Sequence, residues 1–470
     1  MSNKWSVFAV VAIGVFMGTL DGSIVNISLP TMARDFAVPL NGTVEWVIIG
    51  YLVSSAAFLL TAGRLSDLAG RKRIWTAGLV IFTGSSALCG VAPALWFLVV
   101  ARLLQGVGGA LLFSTSPALL TSAFPAAERG RALGLNAVIV ALGTSAGPTI
   151  GGLITSSLSW RWIFFVNVPL GVAGLVLTRI ILKESAERRV VRFDPLGAAL
   201  LGVGLASIIG ALSFASELGF GSPFIIGPFL VGLVLLAALP FVESRVESPV
   251  IKFSLLRNRV FLSANLSLVL SFLALFAVNF IMPFYLEQLR SFPTELAGLL
   301  LTPLPLTIAI VAPISGSIAD RTGSTRWLAA VGLAVACLGL VLLGTLRADS
   351  TLADIIVRLL VVGVGQAMFQ APNNSALLCS APASERGSAS GFMATGRVIG
   401  QSMSVAIAGA IFVSLGGAAA GAALQSGGAG AALQATFLRG FRAALFTCAA
   451  IAVVGIFASL VRGREEGCTG

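Results

Sequence analysis

The stretch at 63–73, GRLSDLAGRKR, decides the fold, because a second copy of its pattern, GSIADRTGSTR, occurs at 316–326. Both stretches fit G-x-[LI]-[SA]-D-x-x-G, and both follow a long apolar run. Two more pairs come after them in the same order: ARLLQGVGG (101–109) matches VRLLVVGVG (357–365), and FPAAERGRA (124–132) matches APASERGSA (381–389). Three matched elements in one order, at nearly constant separation, indicate a duplicated half.

The composition places this duplicated chain in a lipid bilayer. Of its 470 residues, 57% are hydrophobic and 10% are charged, with a mean hydropathy of +0.98. A soluble domain carries roughly a quarter charged residues, so a soluble enzyme is excluded. Fourteen apolar stretches, from 6–29 to 437–461, each approach or exceed the roughly twenty residues that a spanning helix needs.

The repeat separation exceeds what six such helices require, which predicts two inserted helices between the halves. The predicted fold is an all-α polytopic membrane protein of fourteen spans. It comprises an N-terminal six-helix bundle at 1–190, a two-helix insert at 191–256 and a C-terminal six-helix bundle at 257–470.

The net charge of +11 is explained by topology rather than by nucleic acid. Most of the 30 lysines and arginines fall in alternate loops, and the positive-inside rule then puts both termini in the cytoplasm. The chain has no histidine and its five cysteines form no C-x-x-C pair, which predicts no metal site. No phosphate-binding loop motif occurs, so we expect no ATP and no cofactor.

Further motifs make the resemblance specific. ALGTSAGPTIGG (141–152) lies in span 5, LDGSIVNISLP (20–30) in span 1, and WRWIFFVNVPLG (160–171) at span 6. Together with the repeated loops they resemble the major facilitator superfamily, and within it the fourteen-spanning drug:proton antiporter branch. The resemblance covers nearly the whole chain and implies alternating access driven by a proton gradient. Several exporters of cationic drugs in this branch carry an acidic residue within span 10, but 296–319 contains none. This departure argues against a specialist for quaternary ammonium compounds.

Asp21 is the candidate proton-coupling residue, with Arg102 as its partner. Of the 19 acidic residues, it alone is predicted to lie deep in the hydrocarbon, where an ionised carboxylate costs about 2.5–3.5 kcal/mol. At 1.5 Å per residue, Arg102 falls at the same depth. Asp21 could instead form a structural hydrogen bond between helices, and Arg102 could satisfy backbone carbonyls. Arg358, the repeat counterpart of Arg102, is predicted to reach the outer interface near Asp354.

The two copies of the opening pattern are predicted to act as conformational latches at the cytoplasmic ends of spans 2 and 10. A carboxylate there can bind the positive end of a neighbouring helix and hold one state of a rocking cycle. The alternative is a solvated tight turn. The assigned residues are Gly63, Asp67, Gly70, Arg71, Asp320 and Gly323.

The antiporter motif of span 5 comprises Gly143, Gly147, Pro148, Gly151 and Gly152. Small residues four apart let another helix approach closely, and a proline removes one backbone hydrogen bond. The functional hypothesis is a sealed contact between the halves, and ordinary helix packing is the alternative.

The predicted substrate cavity combines apolar surface with a few polar groups. Phenylalanines recur every four residues along span 9, and amides cluster on one face of span 12. Phenylalanine stripes also pack or face lipid, whereas polar stripes are costly in a membrane. Arg397, near mid-membrane in span 13, could meet an anionic group of the substrate, Asp21 across the cavity, or a structural partner. The cavity set is Asn26, Phe276, Asn279, Phe280, Gln366, Gln370, Asn373, Asn374 and Arg397.

The sequence therefore predicts a monomeric, multi-pass antiporter of the bacterial cytoplasmic membrane. It would export amphipathic organic compounds and drugs in exchange for protons, with the lipid bilayer, the small-molecule substrate and protons as its partners. One alternative is a dedicated exporter of a single metabolite, a self-made antibiotic or a lipid. Another is a passive facilitator or a non-transporting sensor.

Overall fold

The computed structural model describes residues 4–38, 42–125, 129–183, 194–219, 221–243, 246, 253–322, 325–382, 386–428 and 430–462. Across these residues the regular structure is helical, with no strand. The N-terminal helices are α1 (Lys4–Asp35), α2 (Gly42–Ala69), α3 (Arg71–Gly90), α4 (Leu95–Ala123), α5 (Arg129–Ser157), α6 (Trp162–Phe165) and α7 (Asn167–Ile181). Next come α8 (Pro195–Leu218) and α9 (Pro223–Glu243). The C-terminal helices are α10 (Arg259–Phe284), α11 (Thr294–Leu301), α12 (Pro303–Thr322), α13 (Thr325–Gly344), α14 (Leu352–Cys379), α15 (Arg386–Ser414), α16 (Gly417–Gln425) and α17 (Ala431–Leu460).

The predicted membrane-spanning character is confirmed by helix length and hydropathy. Within the described residues, 11 helical segments are long and apolar enough to cross a bilayer, and Thr43–Leu59 and Leu196–Leu212 are shorter apolar helices. Each predicted apolar stretch coincides with a helix or a pair of helices. The count of fourteen crossings, the orientation of the termini and the division at 190 and 256 stay predictions.

Several helices are interrupted where the sequence pattern alone shows one run. The span at 296–319 divides into α11 and α12 at Pro303, whose ring cannot continue the hydrogen-bonding pattern of the preceding turn. A π-helical turn, Tyr285–Leu289, extends α10. The segment 416–436 is rich in glycine and alanine, a composition that predicts a low-complexity loop, mobile or weakly helical. It contains α16, which packs on α17, because alanine favours helix and a neighbouring helix supplies packing.

Helix packing repeats in the two halves. In the N-terminal half α1 packs on α5, and α4 packs on both α2 and α3. In the C-terminal half α10 packs on α15, and α14 packs on both α12 and α13. These are the same pairs when α1–α5 are matched to α10–α15 in repeat order. Between the halves, α8 contacts α2 and α15, while α9 packs on α8.

The two halves meet tightly at one end, which is called the outer end here, following the predicted orientation. The Thr149 and Thr302 hydroxyls are hydrogen-bonded across the halves, and Ser156 Oγ donates to Glu295 Oε2 at 3.2 Å. The Glu45 carboxyl of α2 lies against Gly409 of α15. The molecule is therefore closed at its outer end.

Candidate functional site

Asp21 and Arg102 form the ion pair that their depths predict. Asp21 Oδ2 lies 2.5 Å from Arg102 Nη1, and the two side chains are 0% and 1% exposed. Asp21 lies in the middle of α1 and Arg102 in the first third of α4. The pair therefore joins two helices of the N-terminal half in a dry environment, where opposite charges attract far more strongly than in water.

Three polar side chains that the sequence prediction missed complete the network around Asp21. Asp21 Oδ1 accepts hydrogen bonds from Gln105 Nε2 and Asn167 Nδ2, both at 2.9 Å. The same two amides contact Ser86 Oγ, which donates to the Phe164 carbonyl at 2.9 Å. All three residues are fully buried. Each is a polar residue inside an apolar run, which was the signal available to find them.

The Arg102 guanidinium is held by more than its carboxylate. Its Nε donates to the Val47 carbonyl at 2.8 Å, and its Nη1 also donates to Gln105 Oε1 at 2.6 Å. The Tyr51 ring lies 4.4 Å from the Arg102 Cζ, close enough for a cation–π contact. Arg102 thus donates to a backbone carbonyl as well as to the Asp21 carboxylate.

Both carboxylate oxygens of Asp21 accept hydrogen bonds from other helices, one from the Arg102 guanidinium and the other from two side-chain amides. Movement of α4 or α7 relative to α1 would withdraw a donor, because Arg102 and Gln105 lie on α4 and Asn167 begins α7. The hydrogen bonds of Asp21 thus depend on the relative positions of α1, α4 and α7.

Replacing Asn167 with leucine is expected to destabilise the protein by about 1–3 kcal/mol, because the Asp21 carboxylate and the Ser86 hydroxyl each lose a buried partner. Thermal unfolding of the purified protein in detergent measures the loss. Leu170→Ala, a half-buried apolar truncation on the same helix, is the control for general packing defects. An unchanged melting temperature for Asn167→Leu would show that the network contributes no stability.

The antiporter motif contacts two different partners. A Cβ added to Gly143 or Gly147 would overlap the hydroxyls of Thr19 and Ser23 on α1, so this glycine face packs within the N-terminal half. On the other side, a Cβ at Gly152 would lie 2.6 Å from the Thr294 carbonyl oxygen of α11. The motif thus packs on α1 with one face and on α11 with the other, and its role as a seal between the halves stays a prediction. Gly151 extends the α1 face, and Pro148 presents its carbonyl to Gly298 of α11.

At the opposite end, cations rather than carboxylates contact the neighbouring helix ends among the described side chains. Arg71 Nη1 donates to the Ala118 carbonyl at 3.0 Å, and Lys72 Nζ donates to the Leu182 carbonyl at 2.5 Å. These carbonyls belong to the C-terminal ends of α4 and α7, where the helix dipole favours positive charge. The side chains of Asp67 and Asp320, and all of Gly323, lie outside the described residues. Gly63 has nothing near its Cβ position.

Gly70→Ala is expected to destabilise the α2–α3 turn by about 1–3 kcal/mol, because Gly70 has φ 101° and ψ 135°, a region open almost only to glycine. The melting temperature of the purified variant measures the effect. Gly63→Ala, in the same motif but within α2 and with open space at its Cβ, should cost little. Equal melting temperatures for the two variants would contradict the assignment of Gly70 to a backbone conformation that only glycine adopts readily.

The predicted cavity residues are distributed over different surroundings. Phe280 is buried at the closed outer end, where its ring lies 5.4 Å from that of Phe284, while Phe276 and Asn279 are half-buried. Asn373 is tied structurally: its Nδ2 donates to the Ala264 carbonyl at 3.1 Å, and its Oδ1 accepts from Arg462. Gln366 and Gln370 are half-buried. Asn26 Oδ1 and Asn374 Oδ1 are buried acceptors without a hydrogen-bond partner.

Four carboxylates besides Asp21 are buried among the described residues: Asp194 and Glu243 at the ends of α8 and α9, and Glu45 and Glu287. Glu45 and Glu287 are each 4% exposed. Glu287 Oε2 accepts from Thr294 Oγ1 at 3.3 Å in the π-helical turn. Glu45 and Glu287 both lie near the outer ends of their helices, so their burial comes from closure of the halves and not from depth along a helix. Among the described residues, no group of three potential metal ligands occurs.

Comparison with known proteins decides the family. The model of the Major Facilitator Superfamily matches residues 11–405. The chain belongs to the major facilitator superfamily. This membership confirms the predicted superfamily resemblance and, since its members are transporters, the prediction that the chain is not an enzyme.

The relatives that this chain resembles are named for different activities. It is 35% identical over 396 residues to the "Riboflavin transporter RibZ" of Clostridioides difficile, covering 84% of this chain and 85% of that protein. It is 34% identical to the "Multidrug resistance protein Stp" of Mycobacterium tuberculosis, covering 87% of this chain and 76% of that protein. A bacterial homologue of the human lysosomal transporter Spinster, solved inward-facing and unoccupied, has a TM-score of 0.70. That structure shares 14% identity, with 98% of this chain and 97% of that one covered, and shows the shared fold.

Proposed function

We propose that this transporter is a proton-coupled antiporter that exports amphipathic organic compounds and drugs by alternating access. The observation that supports it most is the fully buried Asp21 carboxylate, paired with Arg102 across two helices. A passive facilitator or a non-transporting sensor has little use for a buried ion pair whose release depends on helix position. The multidrug-resistance description of a relative at 34% identity supports the substrate class.

The proposed cycle alternates the partners of Asp21. In the outward-closed state Asp21 is ionised and bound by Arg102, Gln105 and Asn167. Opening at the outer end withdraws at least one of these donors, and Asp21 takes a proton from outside. Closure restores the donors, which favour the ionised form, and the proton leaves to the cytoplasm. Substrate binds when the cavity faces the cytoplasm and leaves when it faces outward.

The same proposal includes the setting of the protein. We assign it to the fourteen-spanning drug:proton branch, as a monomer in the bacterial cytoplasmic membrane with both termini in the cytoplasm. Its energy source would be the proton gradient, without a cofactor. The span 1, span 5 and span 6 motifs support the branch, and the loop distribution of lysine and arginine supports the orientation.

Growth of an efflux-deficient bacterium in the presence of a broad drug panel tests this function. Cells that express the wild type should tolerate at least one amphipathic compound at a raised concentration, and a proton ionophore should restore accumulation of that compound. Asp21→Asn should remove the tolerance. Asp35→Asn, an acid on the same helix that pairs with Arg161 at the exposed outer end, is the matched control and should retain it. Ionophore-insensitive export would contradict the proposal.

A dedicated exporter of one metabolite is the second candidate, because a relative at 35% identity is described as a riboflavin transporter. A dedicated exporter of a self-made antibiotic or lipid belongs to the same class. Such an exporter would confer no tolerance to the panel but would change the accumulation of a single cell-derived compound. Mass spectrometry of the medium, with and without expression, distinguishes the two candidates.

A further inference from the structure

Arg397 is a cation whose charge no carboxylate of the described residues balances. It lies near the middle of α15 and is half-buried. Its guanidinium makes no hydrogen bond or ion pair with the described residues, and its Nε is a buried donor without an acceptor. Its contact is with the Phe272 ring, 5.3 Å from the Arg397 Cζ. Arg102, by contrast, has the Asp21 carboxylate and two further acceptors.

The acids that could balance Arg397 are engaged elsewhere. Both oxygens of Asp21 are occupied by donors of the N-terminal half, which excludes the predicted contact across the cavity in this state. Glu287 and Glu295 lie at the outer end, and Asp354 pairs with Arg358. The stretch 296–319 contains no acid. An unpaired cation in a membrane interior is costly, and such residues mark ligand sites unless they are paired.

The neighbourhood of Arg397 suits an aromatic ligand with hydrogen-bond donors. The Phe272 ring borders the guanidinium, and half-buried Phe276 follows one turn later on α10. Asn265 lies seven residues before Phe272, on the same helix face. Its Oδ1 is a buried acceptor without a partner and approaches Gly396, the residue next to Arg397.

We propose that Arg397 binds an anionic group of the substrate, so that the compounds carried are organic anions with an aromatic body. The inference rests on the proposed transport function and narrows its substrate class. A carboxylate or sulfonate would accept two parallel hydrogen bonds from the Arg397 guanidinium, and the aromatic body would pack on Phe272 and Phe276. Outward movement of an anion and inward movement of a proton both carry positive charge inward, so an inside-negative potential drives this exchange in the forward direction.

Binding to the full-length protein in lipid nanodiscs tests the inference without transport. The probes are 1-pyrenebutyrate and its methyl ester, which share the aromatic body and differ in charge, with empty nanodiscs as the blank for lipid partition. The wild type should bind the acid at least about tenfold more tightly than the ester, equivalent to one charge-assisted contact. Arg397→Gln should lose that preference, whereas Arg397→Lys should retain part of it.

Arg161→Gln, a cation of the exposed outer end, is the matched control and should keep the preference. Equal binding of acid and ester by the wild type, or an unchanged preference in a folded Arg397→Gln protein, would overturn the inference. An Arg397-dependent preference in a protein that moves no protons would uphold anion binding while refuting proton-coupled export. Proton-coupled export of cations that Arg397→Gln leaves unchanged would uphold proton-coupled export while refuting anion binding at Arg397.

Discussion

Replacing Asp21 with asparagine is expected to reduce pH-gradient-driven transport in proteoliposomes to the level of empty vesicles. The amide oxygen of asparagine can still accept hydrogen bonds from Gln105 and Asn167, but it cannot take up and release a proton. Exchange of labelled against unlabelled substrate, which needs no proton movement, should persist. The measurement is therefore the ratio of gradient-driven uptake to exchange in the same vesicles.

The Asp21→Asn variant also leaves Arg102 buried without its counter-charge, which costs about 3–5 kcal/mol and lowers the folded yield. The double variant Asp21→Asn/Arg102→Gln removes both charges and should recover folded protein without recovering gradient-driven uptake. Asp35→Asn on the same helix should behave as the wild type. Gradient-driven uptake at the wild-type rate by either Asp21 variant would remove this carboxylate from the coupling step.

Gly298→Ala is expected to prevent closure of the outer end, because a Cβ there would overlap the carbonyl oxygen of Pro148 on the opposite half. Backbone cannot give way as a flexible side chain can, so α11 and α5 would have to separate. Transport should fall by about tenfold or more. A tenfold change corresponds to about 1.4 kcal/mol, and separating a closed helix contact costs at least that much. Distances between spin labels at the outer ends of α5 and α11 should shift towards longer values.

Gly84→Ala is the matched control, because Gly84 is exposed on α3 with nothing within 4 Å of its Cβ position. It should show wild-type transport and wild-type distances. A Gly298→Ala protein with an unchanged distance distribution would mean that the contact between α5 and α11 does not seal the outer end.

Positions along a helix could be predicted from the sequence, because a helix rises a fixed 1.5 Å per residue. Counting residues from the outer end of each helix placed Asp21 and Arg102 at the same depth, and in the structure the two side chains form an ion pair. Arg358 was likewise predicted to reach the outer interface, and it lies 2.7 Å from Asp354. Gln105, three residues after Arg102, was open to the same reasoning, since positions three apart share a helix face.

Features that depend on how helices meet could not be predicted in this way. Glu45 and Glu287 lie near helix ends, and only closure of the halves buries them. Asn373 was expected in the cavity, but Arg462, just after α17, lies against it, and no local pattern predicts a contact between residues 89 positions apart. The two faces of the span 5 motif became distinguishable only once α1 and α11 were in place.

Proton release on substrate addition tests the central claim, that Asp21 carries the coupled proton, most directly. Purified protein in weakly buffered detergent is mixed with a compound that the growth screen identifies, and the pH of the solution is followed. The wild type should release protons, up to about one for each site occupied, because substrate draws the outward-open, protonated population into the closed state in which the donors hold Asp21 ionised. Asp21→Asn should bind the compound and release none. Equal proton release from both proteins, or no release from a wild type that binds the compound, would contradict the proposed mechanism.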